Sequence, residues 1–258
     1  MISIKSRREI ELMRKTSALA ASTLEYIEQF IKPGVSTEEL NTLCHEYITK
    51  HDAYPSPLNY NGFPKSVCTS PNDVICHGIP SKDVILNDGD ILNIDVTTYL
   101  NSFHGDTNKT FLVGNVEPEV QKLVEVTYQC MAEGIKTVRP GSHIGDIGAV
   151  IQEMAHDHGY SVVEEYCGHG IGREFHEEPQ VVHVGKKGTG VSLKPGMTFT
   201  IEPMINLGSR HCKLLKDNWT VLTKDGKWSA QFEHTILVTE EGREVLTIRK
   251  EEDPSVFQ

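Results

Sequence analysis

LNDGDILNIDVTTYLNSFHGDTNKTFLV, residues 86–113, is the stretch on which the fold turns. The turn at Asn87-Asp88-Gly89 feeds ILNIDVTTYL, a strand by its β-branched content. HGDTNKTFLV at 104–113 reads as the strand that returns beside it. Alternation places Asn93, Asp95 and Thr97 on one face and Leu92, Ile94 and Val96 on the other. With Leu100-Asn101 as a two-residue loop, Thr97 faces His104 and Asp95 faces Asp106. Directly opposed Cβ atoms lie ~4.5–5.5 Å apart. A lone aspartate on a strand marks only a wet face, but two like charges at that distance call for a proton or a cation between them.

Outward from this hairpin, the chain repeats itself. LNDGDILNIDV at 86–96 aligns with LKPGMTFTIEP at 193–203, pairing Asp95 with Glu202 at an offset of 107. KPGVSTEEL at 32–40 aligns with RPGSHIGDI at 139–147 at the same offset. Ile10, Met13, Ser17, Ala20, Leu24, Ile27 and Ile31 recur at helical spacing up to Pro33-Gly34. Ser36-Thr37-Glu38-Glu39 reads as a capping box for a second helix through about His51. Pro118 starts a third helix and a fourth covers roughly 144–158, the remainder reading as strands broken by Gly and Pro. The expected architecture is therefore α+β in one domain, 1–258, built from two similar halves at roughly 1–117 and 118–258. Packed about a pseudo-twofold, such halves bring Asp95 and Glu202 to equivalent places.

Composition narrows the function. The 258 residues are 38% hydrophobic and 24% charged, as in ordinary globular proteins. Lys and Arg number 25 against 36 Asp and Glu, a formal charge of −11, which argues against a DNA-binding role. No apolar run approaches the ~18 residues of a membrane helix, and the charged start MISIKSRREIELMRK is unlike an export signal. Cys44, Cys68, Cys76, Cys130, Cys167 and Cys212 form no CxxC pair and read as reduced thiols of a cytoplasmic protein.

The second half supplies more carboxylates in apolar settings. Glu202 sits in MTFTIEPMI and Glu233 begins FEHTILV, while His169 lies in CGHGIG, where small residues admit a close ligand. Asp95, Asp106, Glu202 and Glu233 carry −4, which two divalent cations balance. One imidazole among many oxygens suits Mn, Fe, Co or Zn rather than a structural Cys-rich zinc site. HExxH, GxSxG and the P-loop are absent.

YNGFPKSVC, CHGIP, GDILNIDVT, FHGDT, EYCGHGIGREFHEEP, LKPGMTFTIEP and QFEHT together resemble the type I bacterial methionine aminopeptidases of the pita-bread metallopeptidase family. The expectation is a protein without the zinc-binding N-terminal extension of eukaryotic type I enzymes and without the large N-terminal domain of prolidase-like relatives. His169 and Glu202 are only 33 residues apart, too close for the helical insertion of type II enzymes. The resemblance implies a curved antiparallel sheet covered by helices. It also implies Asp95 chelating one metal, His169 and Glu202 on the other, Asp106 and Glu233 bridging them, and a hydroxide between the metals attacking the scissile carbonyl. Glu202 would be the base, His176 would donate to the carbonyl oxygen, and His77 would hold the peptide. Tyr60, Phe63, Cys68, Phe175 and Trp219 would line the methionine pocket. Phe63 stands where relatives commonly carry Tyr. Thr97 would be a supporting donor on the Asp95 face. Asn72, Val74 and Ser229 would hold a monovalent cation. The implied activity is removal of initiator methionine from nascent polypeptides, with preference for a small second residue, by a monomer.

Two other classes stay open at this level: a non-catalytic peptide- or RNA-gripping protein, and an aminopeptidase specific for Pro. The five candidate ligands argue against the first and the apolar pocket against the second. Residues 209–227 carry Arg210, Lys213, Lys216, Lys224 and Lys227 against only Asp217 and Asp225. This basic segment is either a solvated strand-and-loop face or a dock for ribosomal RNA near the nascent chain.

Overall fold

The computed structural model describes residues 2–258. Helix α1 spans Arg7–Glu28 and is capped by Ser6, whose side chain accepts from the Glu9 amide while Glu9 reaches back. It ends three residues before Ile31, which sits half-buried in the turn leading to Pro33-Gly34. Helix α2, Thr37–Lys50, opens on the capping box of Ser36 and Glu39. Helix α3, Pro118–Lys136, starts on the proline, whose missing N–H would have had no partner there. Helix α4 spans Ile144–Asp157.

The longest sheet element is the antiparallel hairpin of Ile91–Leu100 with Phe103–Leu112. Its register corrects the expectation from sequence: Leu100 pairs with Phe103, so Thr97 faces Asp106 and Asp95 faces Asn108. The loop is Asn101-Ser102, both with left-handed φ (54° and 67°), as a two-residue turn matched to strand twist requires. Moving the loop by one residue shifts the pairing by two. Parity is kept, and Asp95 and Asp106 stay on one face as diagonal neighbours.

Cys68–Pro71 and Tyr54–Pro55 also pair with the first hairpin strand. A five-stranded sheet runs in the order Arg243–Val245, His234–Val238, Thr198–Ile201, Gly168–Gly170, Glu177–Val181. Two three-stranded sheets complete the set, and every pairing is antiparallel. The two main sheets meet where the Glu233 amide donates to the Asn108 carbonyl (3.1 Å), Thr107 Oγ1 donates to the Glu233 carbonyl (2.7 Å) and Thr235 Oγ1 donates to the Asp106 carbonyl (2.8 Å).

The helices lie on the outer faces. Leu92, Ile94 and Val96 are fully buried with Leu24 and Ile27 of α1 and Leu40 and Ile48 of α2. Phe199, Ile201 and Ile236 are buried with Leu123 and Ile135 of α3 and Ile147 and Ile151 of α4. At ~25 cal/mol per Å², each fully buried side chain of this kind contributes about 1.5–3 kcal/mol. Gly105 lets α1 approach the hairpin, since a Cβ there would lie 2.5 Å from the Ser17 amide nitrogen. The apolar hairpin face is thus used up by the helices, and the polar face with Asp95 and Thr97 points to the molecular centre.

Backbone bonds recur with the sequence repeat. The Gly34 amide donates to Leu86 (2.8 Å) and the Gly141 amide to Leu193 (2.9 Å). The Thr37 amide donates to Val84 (3.0 Å) and the Ile144 amide to Val191 (3.0 Å).

Candidate metal centre

Each of the five acidic and imidazole groups is delivered by strand geometry. Asp95 and Asp106 project from the polar face of the hairpin, His169 from the short Gly168–Gly170 strand, Glu202 from just beyond Thr198–Ile201, and Glu233 from just before His234–Val238. They converge on one cavity floor. Single ligand atoms of Asp106, His169 and Glu233 all lie within 4.8 Å of one another. His169 Nε2 is 3.6 Å from Asp106 Oδ2 and 3.7 Å from Glu202 Oε1. Its Nδ1 lies 2.9 Å from the Gly170 carbonyl, an acceptor only, so that nitrogen carries the donated proton and Nε2 presents a lone pair to the carboxylates when the ring is neutral.

Neighbouring side chains aim these groups. Thr97 Oγ1 donates to Asp106 Oδ1 (2.7 Å), so its partner is the second aspartate rather than the first. Asn108 Nδ2 donates to Glu233 Oε2 (2.8 Å). Glu202 receives Thr200 Oγ1 on Oε1 (2.6 Å) and Gln231 Nε2 on Oε2 (3.3 Å). Its backbone N–H donates to Nε2 of the buried His183 (3.1 Å). Burial takes His183 down to about 3, so this ring is neutral.

Two oxygens are left over. Asp95 Oδ1 and Glu233 Oε1 are buried with no hydrogen-bond partner. Buried carboxylate oxygens are costly unless something positive meets them. Burial, reinforced by Asp106, pushes the Asp95 and Glu233 carboxyls well above their usual range, and burial raises Glu202 as well. Burial works against charging His169, but Asp106 and Glu202 more than offset it, and the net shift is upward. A set of hard oxygens and one imidazole, short of positive charge and with two free acceptor atoms, fits a bound metal ion.

The cavity above this floor has a volume of about 420 Å³. Tyr60, Phe63, Cys68, His77, Phe175, His176 and Trp219 all line it. Phe63 is buried and meets Trp219 edge-on with ring centres 5.2 Å apart. Tyr60 and Phe175 are 4.9 Å apart. His176 packs on Phe175 and His169, and its Nδ1 lies 2.8 Å from the Tyr60 hydroxyl. His176 keeps solvent exposure, yet the protein packed around its ring and the neighbouring His169 take it down to about 3, and burial takes His77 to about 4. Both rings are neutral near pH 7. Where the Tyr60 hydroxyl donates to Nδ1, the His176 proton sits on Nε2; in the other tautomer Nδ1 donates to the hydroxyl.

Sequence reasoning missed Gln231, Thr200 and His183, and also the lining residues Tyr166, Cys167 and Met204. Gln231 stands two residues before Glu233 and Thr200 two before Glu202, a spacing the sequence shows. His183 has no such signal, because its contact with Glu202 arises only on packing.

Of the three residues expected at a monovalent cation, Asn72 and Ser229 come together. The Ser229 amide donates to the Asn72 carbonyl (2.9 Å), and Ser229 Oγ is buried without a partner. Val74 begins the Val74–Cys76 strand nearby. In the 209–227 segment, Lys213, Lys216, Lys224 and Lys227 are exposed. Arg210 pairs with Glu164 (3.3 Å), and Asp217 and Asp225 accept from backbone amides of their own segment. All six cysteines are free thiols.

Comparison with known proteins places these features. Residues 11–240 match the model of metallopeptidase family M24. Methionine aminopeptidase A of Synechocystis sp. is 53% identical over 247 residues, 96% of this chain and 98% of the relative. Methionine aminopeptidase of Escherichia coli K12 is 52% identical over 252 residues, 97% and 96% of the two chains. The crystal structure of methionine aminopeptidase from Rickettsia prowazekii superposes with a TM-score of 0.95 at 53% identity, covering 96% of this chain and all of that one. A prolidase from Pyrococcus horikoshii shares the fold at 22% identity, with a TM-score of 0.75 over 96% of this chain and 64% of its own.

Proposed function

We propose, from the premise that this chain belongs to metallopeptidase family M24 and within it to the methionine aminopeptidases of the bacterial type I kind, that its five convergent ligands hold two divalent ions for hydrolysis. The architecture is the α+β pita-bread fold. The reaction removes the initiator methionine from polypeptides.

Asp95 would serve one ion, His169 and Glu202 the other, and Asp106 and Glu233 both. Bound there, the ions would lower the pKa of water and polarise the scissile carbonyl. The chain's own groups do the rest. Glu202, aimed by Thr200 and Gln231, takes up the proton of the attacking water and returns it to the leaving amine. His176, neutral, donates from Nε2 to the carbonyl oxygen as charge builds there, in the tautomer in which its Nδ1 accepts from Tyr60. His77, also neutral, holds the peptide beside the scissile bond. Tyr60, Phe63, Cys68, Phe175 and Trp219 receive the methionine side chain in an apolar pocket suited to a flexible thioether. Asn72, Val74 and Ser229 would hold a monovalent cation. The exposed lysines of 209–227 would dock on ribosomal RNA, so that a cytoplasmic monomer meets nascent chains with a small second residue. No described helix is long and apolar enough to cross a membrane.

The observation that supports this reading most is the pair of partnerless carboxylate oxygens on the floor of an aromatic-walled cavity. The test is cleavage of Met-Ala-Ser and Ala-Pro-Ala with and without chelator. Chelator-sensitive release of methionine from the first and inertness toward the second are expected. Methionine release that survives full chelation would contradict the reading.

A further inference from the structure

Phe175 and His176 lie on residues 172–176, which have no regular secondary structure and leave Arg173, Glu174 and His176 exposed. Such a segment is mobile unless something outside it holds it. Two ties come from the N-terminal segment. Lys5 Nζ donates to Glu177 Oε2 at 2.6 Å, with side chains only 3% and 13% exposed. Glu177 Oε1 in turn accepts from the Glu174 amide (3.3 Å). Lys5 is itself fixed, because its amide donates to the Gly196 carbonyl (2.8 Å) and the next residue, Ser6, caps α1. The loop runs directly against the lysine stem: a Cβ on Gly172 would lie 2.5 Å from Lys5 Cε and 2.7 Å from Nζ. At the other end, Arg173 Nη2 donates to Glu9 Oε1 (3.1 Å), and its guanidinium sits 4.7 Å over the Phe103 ring. The ties grip Arg173 and Glu177, on either side of Phe175 and His176.

We propose that Lys5 is a positioning residue for the reaction: its buried ion pair with Glu177, helped by Glu9 and Arg173, clamps the loop that presents His176 and Phe175 to the cavity. A buried ammonium with one carboxylate partner permits few loop positions, which is what a donor aimed at a single oxygen needs. The proposal rests on the reading of His176 as that donor.

Lys5→Met alone strands the Glu177 carboxylate and puts folding at risk. The decisive variant is therefore Lys5→Met with Glu177→Gln, which removes both charges and keeps both stems. Its melting temperature is expected to stay near the parent's. Its kcat on Met-Ala-Ser is expected to fall about tenfold with a smaller change in KM. Hydrogen exchange of 172–177 in the metal-free protein is expected to quicken several-fold. Arg173→Gln, at an exposed site that leaves folding intact, is expected to show the same effects more weakly. A stable double variant with parental kcat and parental exchange would overturn the clamp. Quickened exchange with unaltered kcat, together with an unimpaired His176→Ala, would overturn the role of His176 and the proposal with it. Unaltered exchange beside a crippled His176→Ala would overturn the clamp alone.

Discussion

Asp95 and Glu233 each bury one carboxylate oxygen that no protein donor meets, while the other Glu233 oxygen accepts from Asn108. That contrast gives Asp106 its expected weight, since it stands between them and His169. Asp106→Asn is expected to keep the fold, by circular dichroism, but to lose most bound metal and nearly all activity. His176→Ala is expected to lower kcat by about 10²–10³ while metal content stays parental, because the ring donates to substrate. That Asp95 and Asp106 share a face was legible in the sequence because alternation assigns each side chain a face, and faces survive a pairing shift of two; Glu202 and Glu233 stood out as charges in apolar runs. Whom Thr97 serves was not legible: on the right face, it donates to Asp106 across the strand pair, a matter of register. His183 and Lys5 were invisible for a further reason. Each acts on a residue distant in sequence and carries no local pattern.

At the scale of the element, the hairpin turn carries a testable strain. Asn101 and Ser102 both adopt left-handed φ, which Asn tolerates and Ser does not favour. Ser102→Gly is expected to raise stability by about 0.5–1 kcal/mol in denaturant titration, with the register unchanged. Neither Leu100-Asn101 nor Asn101-Ser102 is a strong hairpin signature, so the sequence does not fix the loop to the residue; the structure takes the pair that spares Leu100 a left-handed φ. The C-terminal arm offers a second test. His234 Nε2 lies 3.0 Å and Arg249 Nη2 2.6 Å from Glu252 Oε1, all three nearly buried. Burial works against ionising Glu252, but His234 and Arg249 more than offset it and hold the carboxyl at about 2, below its ordinary 4.5. A depressed folded value means stability that is fully present above about 4.5 and lost as pH falls toward 2. Glu252→Gln is therefore expected to cost about 2 kcal/mol near neutrality. The stability difference from the parent should shrink below pH 4.5 and close only near pH 2.

Over the whole molecule, we propose that the halves 1–117 and 118–258 are structural equivalents. The paired bonds at Gly34 and Gly141 and at Thr37 and Ile144 support this, as do the Ser36 amide donating to the Glu39 carboxylate and the His143 amide to the Asp146 carboxylate. Helices and the repeat were legible because both are local or periodic. How the two sheets abut through Thr107, Asn108 and Thr235 was not, because those bonds join strands more than 120 residues apart. On a molecule of charge −11, the four exposed lysines of 209–227 stand out. Changing Lys213, Lys216, Lys224 and Lys227 to Glu is expected to abolish salt-sensitive co-sedimentation with ribosomes while leaving tripeptide cleavage parental. The central claim, that Asp95, Asp106, His169, Glu202 and Glu233 share a pair of cations, is tested most directly by elemental analysis after equilibrium dialysis against Mn or Co, paired with activity. Two ions per chain, lost together with activity on chelation, is the expected result. Full activity in protein that binds no ion would contradict it.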